Sequence, residues 1–269
     1  MIPRRLIVAL ALFSAACGGS VTTQTDASIN TGTTIPEAGT FVKRSISLSG
    51  TTYLYQVFIP KAYNTGQKWP VIFYIDGSGG RGTDGVSMTV QSLGAIVRSR
   101  ASTYPAIVVF PQIPAGETFS RATMMAICNA ELDASVQAYN GDPARIYVTG
   151  ISFGGSVAYQ LAYENPTKFA ALIPIASAYS DAAITSNPNA AQGSSYSLVA
   201  QRLKAMPVAI YEGQFDPNVA SARGVAAALQ AIGGNIRYTE MAGLGHDAIV
   251  WDSTYASADF YTWLYAQHR

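Results

Sequence analysis

A serine flanked by glycines stands between an apolar run that ends at Thr149 and a helical pattern that begins near Ser156; the segment Gly150–Gly155 reads Gly-Ile-Ser-Phe-Gly-Gly. A serine hydroxyl is a weak nucleophile until a base removes its proton, and a sharp turn between strand and helix exposes the oxygen to such a base. Glycines permit that tight turn. The position predicts Ser152 as a nucleophile, although a plain Gly-rich turn would produce the same short pattern.

A serine nucleophile needs a histidine as its base, and the chain contains 2 histidines. His268 is the penultimate residue, where chain ends usually fray. His246 lies in the Gly-rich segment Gly243–Asp247, shortly after the strand-like run Ile236–Thr239. A loop there can bring the imidazole to the carboxyl edge of a sheet, so we expect His246 to be the general base. A surface histidine in a turn is the alternative.

A third group should orient the imidazole, and it is expected as a carboxylate between the serine and the histidine in the chain. The carboxylates in that interval are Glu164, Asp181, Glu212, Asp216 and Glu240. Asp216 follows the strand-like run Val208–Tyr211 through a short loop, which is where the orienting residue is expected. We therefore predict Asp216 for this role, with Glu212 as the second choice. Asp216 also precedes Pro217, a pattern typical of a helix N-cap.

Acyl transfer also requires backbone N–H donors directed at the developing oxyanion. One comes from the residue after the nucleophile and one from an early loop between strand and helix. Phe153 would supply the first. The strand-like run Val71–Ile75 leads into the Gly-rich loop Asp76–Gly82, in which we expect Ser78 to supply the second. An ordinary Gly-rich turn is the alternative interpretation of this loop.

The elements that must position these residues alternate along the chain. The strand-like runs are Tyr53–Ile59, Val71–Ile75, Ile107–Phe110, Ile146–Thr149, Phe169–Ile175, Val208–Tyr211 and Ile236–Thr239. The helical candidates are Val86–Arg98, Thr123–Tyr139, Ser156–Tyr163, Val219–Ala231 and Ser257–Ala266. This alternation predicts an α/β fold with a mostly parallel sheet and helices on both faces. The irregular segment Ala178–Ser197 predicts a loop or a small cap near the site.

Composition narrows the class of protein. A length of 269 residues with 49% hydrophobic content suits a single catalytic domain. Because 17 basic and 16 acidic residues leave a formal charge of +1, we expect no nucleic-acid partner. Only Cys17 and Cys128 are available, so neither a disulfide framework nor a Cys-rich zinc site is expected. Cys128 lies in an apolar helical run, which is typical of an inert buried thiol.

The N-terminus has the features of an export signal. Arg4 and Arg5 precede the apolar run Leu6–Phe13, which is too short to span a membrane, and small residues then lead to Cys17. Residues 1–17 are therefore predicted to be a lipoprotein-type signal with Cys17 lipidated, placing the protein in the periplasm, in the outer membrane or at the cell surface. An ordinary signal peptide of a secreted protein is the alternative. Residues 18–40 are predicted to form a flexible tether and residues 41–269 the catalytic domain.

Several segments, taken together, resemble a family of secreted bacterial esterases. They are Tyr53–Pro60, Asp76–Gly82, Asp142–Gly150, Arg237–Glu240, Gly245–Asp247 and Tyr261–Gln267. Members of this family are described as predicted peptidases or phospholipase/carboxylesterase-like proteins, and they are related to feruloyl esterases and polyhydroxybutyrate depolymerases. The resemblance extends over nearly all of the chain after the tether. It implies an α/β-hydrolase fold, a Ser-Asp-His triad placed as above, and neither a metal nor an organic cofactor.

One position departs from that family, which usually has His-Gly where this chain has Asp76-Gly77. A carboxylate beside the developing oxyanion would oppose its negative charge. We therefore expect Asp76 to turn toward Arg81 or toward backbone N–H groups, and we expect a histidine to be tolerated in its place.

The sequence as a whole predicts a serine carboxylic ester hydrolase that acts through an acyl-enzyme on a small-molecule or polymer ester, such as a feruloyl, acetyl or polyester substrate. A serine peptidase or amidase would use the same triad, and an inactive surface-tethered binding protein is a third possibility. Phe119, Tyr179, Phe215 and Trp251 could line an aromatic pocket, although isolated aromatic side chains more often belong to the core.

Overall fold

The computed structural model describes residues 37–115, 121–179 and 194–269. A β-sheet lies at the centre of this part of the protein. The strands are β1 (Thr40–Leu48), β2 (Thr51–Ile59), β3 (Trp69–Ile75), β4 (Ile107–Pro111), β5 (Gly141–Ile151), β6 (Ala171–Ile175), β7 (Val208–Gly213) and β8 (Ile236–Met241). They form one 8-stranded sheet in the order β1-β2-β4-β3-β5-β6-β7-β8. β2 is antiparallel to β1 and β4, whereas all other neighbouring pairs are parallel.

Helices follow most of the strands. They are α1 (Ser92–Ser99), α2 (Arg121–Ala138), α3 (Phe153–Glu164), α4 (Ser194–Leu203), α5 (Val219–Ala231), α6 (Ala248–Ala256) and α7 (Ala258–Tyr265). Short 3₁₀ turns occupy Ser78–Gly80 and Ser87–Thr89. In the described residues no helix is long and apolar enough to cross a membrane.

Two hydrophobic cores lie on opposite faces of the sheet. In β3, Val71, Phe73 and Ile75 enter the core that α2, α3, α4 and α5 cover, whereas Ile72 and Tyr74 enter the core that α1, α6 and α7 cover. This division follows from the pleat of a strand, which directs successive side chains to opposite faces. The result is the three-layer arrangement of an α/β-hydrolase fold, with helices on both sides of a mostly parallel sheet.

Parallel strands end at the same edge of the sheet, and this determines where the candidate residues meet. β5 ends at Ile151, directly before the candidate serine, and β7 ends at Gly213, directly before the loop that contains Asp216. β8 ends at Met241, five positions before His246. The carboxyl edge of the sheet is where open α/β folds generally place their ligands.

The predicted strand cores appear in the structure, and so do the helical runs, except that the predicted helix Val86–Arg98 is divided into a 3₁₀ turn and α1, which begins at Ser92. Three elements were not predicted. β1 carries Lys43 and Arg44 and lies at the edge of the sheet, so it shows no apolar run of the kind used to identify the other strands. α4 begins inside the predicted irregular segment, at Ser194, and α6 begins just after His246.

Two cysteine predictions have different outcomes. Cys128 is fully buried and free, as expected for an inert thiol, and burial raises the pKa of its thiol well above the ordinary value. Cys17, with the signal and most of the predicted tether, lies outside the described residues, so its lipidation stays a prediction. Among the described residues, no group of three or more His, Cys, Asp or Glu side chains is arranged to hold a metal ion.

Candidate active site

Ser152 occupies a strained turn between β5 and α3. Its backbone has φ 51° and ψ −122°, a conformation that L-residues rarely adopt and that is retained where the surrounding structure imposes it. The turn is held by the Ser152 amide, which donates to the Ile175 carbonyl at 2.9 Å. The turn is so tight that two neighbouring positions must be glycine. A Cβ at Gly150 would lie 2.5 Å from the Gly154 carbonyl carbon, and one at Gly154 would lie 2.0 Å from the Ile75 carbonyl oxygen.

His246 joins the serine to the acidic residue in one hydrogen-bonded line. Its Nε2 lies 2.9 Å from Ser152 Oγ, and its Nδ1 lies 2.6 Å from Asp216 Oδ2. The imidazole stays accessible, with a third of its side chain exposed, whereas the Asp216 side chain is fully buried. The structure therefore brings the three predicted residues together in the order that proton transfer from a serine would require.

The His246 loop is held against the loop after β7 by backbone contacts. The Phe215 amide donates to the Leu244 carbonyl at 2.8 Å. The two loops also approach closely at Gly213, where a Cβ would lie 2.3 Å from the Gly245 carbonyl oxygen. Because residue 213 is a glycine, the loop that carries His246 can approach the loop that carries Asp216.

Asp216 is not the N-cap of α5, because Asn218 occupies that position, but the carboxylate makes a local bond just before the helix. Its Oδ1 accepts from the Asn218 amide at 2.7 Å, just before α5, while its Oδ2 faces His246. The local bond and the contact with His246 are compatible, because the carboxylate has one oxygen for each partner. The local bond to Asn218 fixes the orientation in which the other oxygen meets the imidazole.

Glu212, the second choice for the acidic residue, is bound by backbone amides and lies beside Asp216, whereas the carboxylate bound to His246 is that of Asp216. It is fully buried at the end of β7, and its carboxyl accepts from the Ser177 amide at 3.1 Å and from its neighbour Gly213 at 3.3 Å. Burial, together with the charge of Asp216, raises the pKa of Glu212 to about 9. Glu212 is therefore a neutral acid at pH 7, and the residue that faces His246 is Asp216.

The two residues predicted to bind the oxyanion lie at starts of helical turns near the serine. Phe153 is the first residue of α3, a position whose amide has no acceptor within its own helix. Ser78 is exposed at the start of the first 3₁₀ turn. Gly77 just before it packs on the serine turn, because a Cβ there would lie 3.5 Å from Ile151 Cγ1, and its amide is already bound by Asp76 Oδ1. The next amide available in this loop is that of Ser78.

Asp76 turns away from the site into the protein, as expected, but its partners were predicted only in part. Its Oδ1 accepts from the Gly77 amide at 2.9 Å and from the Tyr74 hydroxyl at 2.7 Å, and burial raises the pKa of the carboxyl. Arg81 has a different position from the one predicted: its Nη2 donates to the Pro114 carbonyl at 2.9 Å, and its guanidinium carbon lies 4.8 Å from the centre of the Phe153 ring.

The expectation that histidine is tolerated at position 76 stays a prediction, and the packing of the Asp76 side chain argues against it. The Asp76 carboxyl lies directly against Gly80, where an added Cβ would stand 2.3 Å from Oδ2. Because an imidazole is larger than a carboxyl group, we expect it to be crowded by Gly80.

We expect Asp76→Ala to lower the free energy of unfolding by about 1–3 kcal/mol, because it leaves the buried Tyr74 hydroxyl without its acceptor. Asp76→His should cost at least as much, and Asp76→Asn, which keeps an oxygen acceptor of the same size, should cost least. Urea unfolding of the four proteins measures this order. A histidine variant as stable as the wild type would contradict the steric argument.

The predicted aromatic pocket residues separate into different environments. Tyr179 is buried in the core beneath α3, so its ring is a packing element and does not support the predicted role in an open pocket. Phe215 is 70% exposed beside Asp216. The Trp251 ring centre lies 5.6 Å from that of His246. Phe119 lies outside the described residues.

Sequence reasoning missed two contacts that support the site. Arg81 was assigned to Asp76, but it lies over Phe153 and so joins the Gly-rich loop to the first turn of α3. Glu212 was considered only as a substitute for Asp216, although it is hydrogen bonded to that residue. A signal for its burial was present, because Glu212 directly continues the apolar run Val208–Tyr211.

Sequence comparison identifies one family for this chain. The model of the Esterase family, described as "Putative esterase", matches residues 47–269. No curated protein matches the chain.

Solved structures with the same fold include hydrolases of several kinds. A thermostable esterase is 26% identical with a TM-score of 0.70, and the match covers 85% of this chain but 63% of that one. This chain thus corresponds to less than two thirds of that esterase. A feruloyl esterase module from Clostridium thermocellum, complexed with sinapinate, is 16% identical with a TM-score of 0.63 and coverages of 87% and 92%. An S-formylglutathione hydrolase from Agrobacterium tumefaciens is 16% identical with a TM-score of 0.64 and coverages of 89% and 98%.

Proposed function

Because the chain belongs to the Esterase family, we propose that it hydrolyses carboxylic esters through an acyl-enzyme, with Ser152, His246 and Asp216 as its catalytic triad. The observation that carries this proposal is the hydrogen-bonded line from Ser152 Oγ through His246, with distances of 2.9 Å and 2.6 Å. Such an arrangement activates a serine hydroxyl that is otherwise a poor nucleophile.

In the first half of the reaction, Ser152 Oγ attacks the ester carbonyl while His246 Nε2 takes its proton. The imidazolium that forms is stabilised by Asp216, whose Oδ2 accepts from Nδ1 and thereby holds the ring in the tautomer that leaves Nε2 free to act as a base. Burial of Asp216 strengthens this interaction, because little water competes for the carboxylate.

The tetrahedral intermediate places a negative charge on the former carbonyl oxygen. We assign its stabilisation to the backbone amides of Phe153 and Ser78, each of which begins a helical turn. Donors fixed in this way need no reorganisation during the reaction, and one such donor is worth about 3 kcal/mol in other serine hydrolases.

The second half releases the two products. His246 returns its proton to the alkoxide oxygen, the alcohol departs, and the acyl group remains on Ser152. A water molecule, deprotonated by the same nitrogen, then attacks the acyl carbon, and the carboxylic acid leaves as Ser152 recovers its proton. Each proton is transferred through His246 Nε2. The partial exposure of the imidazole lets the substrate and the water molecule reach this atom.

Apolar side chains beside the triad favour a substrate with an apolar acyl or alcohol group. Phe215 follows β7 beside Asp216 and is 70% exposed, and Ile249, in the first turn of α6 after His246, is 60% exposed. Trp251 contacts the imidazole ring. A screen of acetyl, butyryl, feruloyl and polyester substrates identifies the acyl group that these side chains accept.

Parallel assays on an ester and an amide test the proposal. We expect the purified protein to release p-nitrophenol from p-nitrophenyl acetate or butyrate and to leave peptide p-nitroanilides intact, since the chain belongs to the Esterase family. Faster turnover of an anilide than of every ester would favour a peptidase. A protein that cleaves neither substrate would support an inactive binding protein.

A further inference from the structure

Next to the triad residue Asp216 lies a second buried carboxyl group, that of Glu212. Glu212 is the penultimate residue of β7 and is 0% exposed, and Asp216 follows it after one tight turn in which the Asp216 amide donates to the Gly213 carbonyl at 3.1 Å. This turn folds the chain back and places the Glu212 and Asp216 carboxyl groups beside each other, where they can share a hydrogen bond. Two carboxyl oxygens can share a hydrogen bond only if one of the groups carries a proton.

The surroundings decide which group carries it. Glu212 and Glu240 are paired in register on adjacent strands, and Glu240 is bound by Arg223 of α5 through hydrogen bonds of 2.6 Å and 2.9 Å. Tyr159 of α3 also faces Glu212, and burial keeps that phenol neutral by raising its pKa. Asp216 is engaged by His246 at 2.6 Å. A buried carboxyl beside an ionised one retains its proton, so the proton resides on Glu212.

We propose that Glu212 is a positioning residue of the active site: as a neutral carboxylic acid, it donates a hydrogen bond to Asp216 and holds that carboxylate in line with His246 Nδ1. The inference rests on the proposed esterase function and adds a fourth member to its hydrogen-bonded line. Glu212 itself is fixed by two backbone amides, those of Ser177 and Gly213.

Three donors then surround the Asp216 carboxylate. The Asn218 amide binds Oδ1 at 2.7 Å, His246 binds Oδ2 at 2.6 Å, and Glu212 adds an O–H donor from behind. A buried carboxylate with these contacts has a single favourable orientation. If Glu212 loses its proton, the donor becomes a second negative charge, and repulsion between the two carboxylates displaces Asp216 from the imidazole.

The test is the pH dependence of kcat for the wild type and for Glu212→Gln, with the Ser152→Ala protein as the background for spontaneous ester hydrolysis. Wild-type kcat should decrease as Glu212 ionises near pH 9. Glutamine has nearly the same shape, donates through its amide nitrogen, cannot ionise, and keeps one of the two oxygens that accept from the Ser177 and Gly213 amides. Glu212→Gln should therefore retain most of the wild-type kcat at pH 7.5 and should lack this alkaline decrease.

Glu212→Ala tests the positioning role by removal. It takes away the donor and leaves a space into which Asp216 can move, so we expect kcat to decrease by about a hundredfold with little change in KM, as for small displacements of catalytic groups. Recovery by glutamine at the same position separates this role from simple loss of packing.

The matched control is Glu131→Gln. Glu131 is also 0% exposed, and burial raises the pKa of its carboxyl well above the ordinary value, but it lies on α2, which packs against β1, β2, β4 and β5. The same substitution there should leave the alkaline decrease of kcat in place.

Thermal unfolding gives a readout that does not depend on activity. The pKa of Glu212 is raised from about 4.5 in the unfolded chain to about 9 in the folded protein. The protonated Glu212 therefore contributes its full stabilisation below pH 4.5, and this stabilisation is lost progressively as the pH rises toward 9 and through it. Glu212→Gln lacks this contribution at every pH. The Tm of the variant should therefore rise relative to that of the wild type between pH 5 and pH 9.

Two results would overturn the inference. One is an alkaline decrease of kcat that is the same in Glu212→Gln and in the wild type. The other is a loss in Glu212→Gln as large as that in Asp216→Asn, on the order of 10⁴-fold, which would make Glu212 the acidic member of the triad. A wild type without esterase activity would refute the proposed function alone, because the Tm comparison would still decide whether Glu212 is a buried neutral acid.

Discussion

Replacing Ser152 with alanine should lower kcat for a p-nitrophenyl ester by about a millionfold, as for other triad serines, and leave the fold intact. The hydroxyl has one described hydrogen-bond partner, His246 Nε2. The backbone bonds that hold the turn survive the change, because the residue 152 amide still donates to the Ile175 carbonyl and its carbonyl still accepts from the amide of residue 156. Initial rates at saturating substrate, with circular dichroism and Tm alongside, measure both parts of the prediction.

Ser156→Ala is the matched control for this experiment. Ser156 lies one helical turn further along α3, and its hydroxyl donates to the Ala178 carbonyl at 2.7 Å, away from the triad. Its loss should leave kcat unchanged. If Ser152→Ala retained more than a few per cent of the activity, or if the two serine variants lost activity equally, the nucleophile would have to be another residue.

Replacing His246 with alanine should be as damaging as the serine change, again about a millionfold in kcat, because the members of a triad act as a unit. Without the imidazole nothing in the hydrogen-bonded line accepts the serine proton, and the buried Asp216 carboxylate loses the partner at 2.6 Å. For the same reason, the double variant Ser152→Ala/His246→Ala should be scarcely slower than either single variant. Rates for all three proteins at pH 7.5 measure this lack of additivity.

His268→Ala is the control for the histidine variant. This second histidine is exposed, one residue from the C-terminus, and its replacement should leave both kcat and Tm unchanged. Comparable losses in the two histidine variants would show that His246 is not the specific base. Fully additive losses in the double variant would mean that Ser152 and His246 act in separate steps.

Much of the fold was predictable from local patterns. α5 has the bounds that the sequence predicted, Val219–Ala231, and the apolar run Val71–Ile75 is the core of β3. These segments carry their own signal, since periodicity and continuous apolar runs reflect which faces are buried. β1 was missed because the charged residues Lys43 and Arg44 interrupt its apolar pattern. α6 was missed because it begins only two residues after His246, at Ala248.

The residue types and their order along the chain were enough to select Ser152, His246 and Asp216 as candidates. A glycine-flanked serine after an apolar strand is a local signal, and only 2 histidines were available as the base. The choice between Asp216 and Glu212 was different, because Glu212 lies at the end of β7 and Asp216 follows it closely, and the pattern does not show which side chain meets the imidazole. That choice is determined by contacts across the sheet edge, in particular the approach of the His246 loop to Gly213.

The same distinction applies to the residues for which sequence reasoning was incomplete. Tyr179 and Asp76 each have a side chain that suits a binding site, yet the structure buries one beneath α3 and turns the other against Gly80. Sequence by itself determined which chemical groups this protein has and, through the order of strands and helices, that they meet at the carboxyl edge of one sheet. Only the tertiary structure decided which of those groups touch, because the orientation of a side chain in a loop depends on neighbours that are distant in the chain and leave no periodic pattern in it.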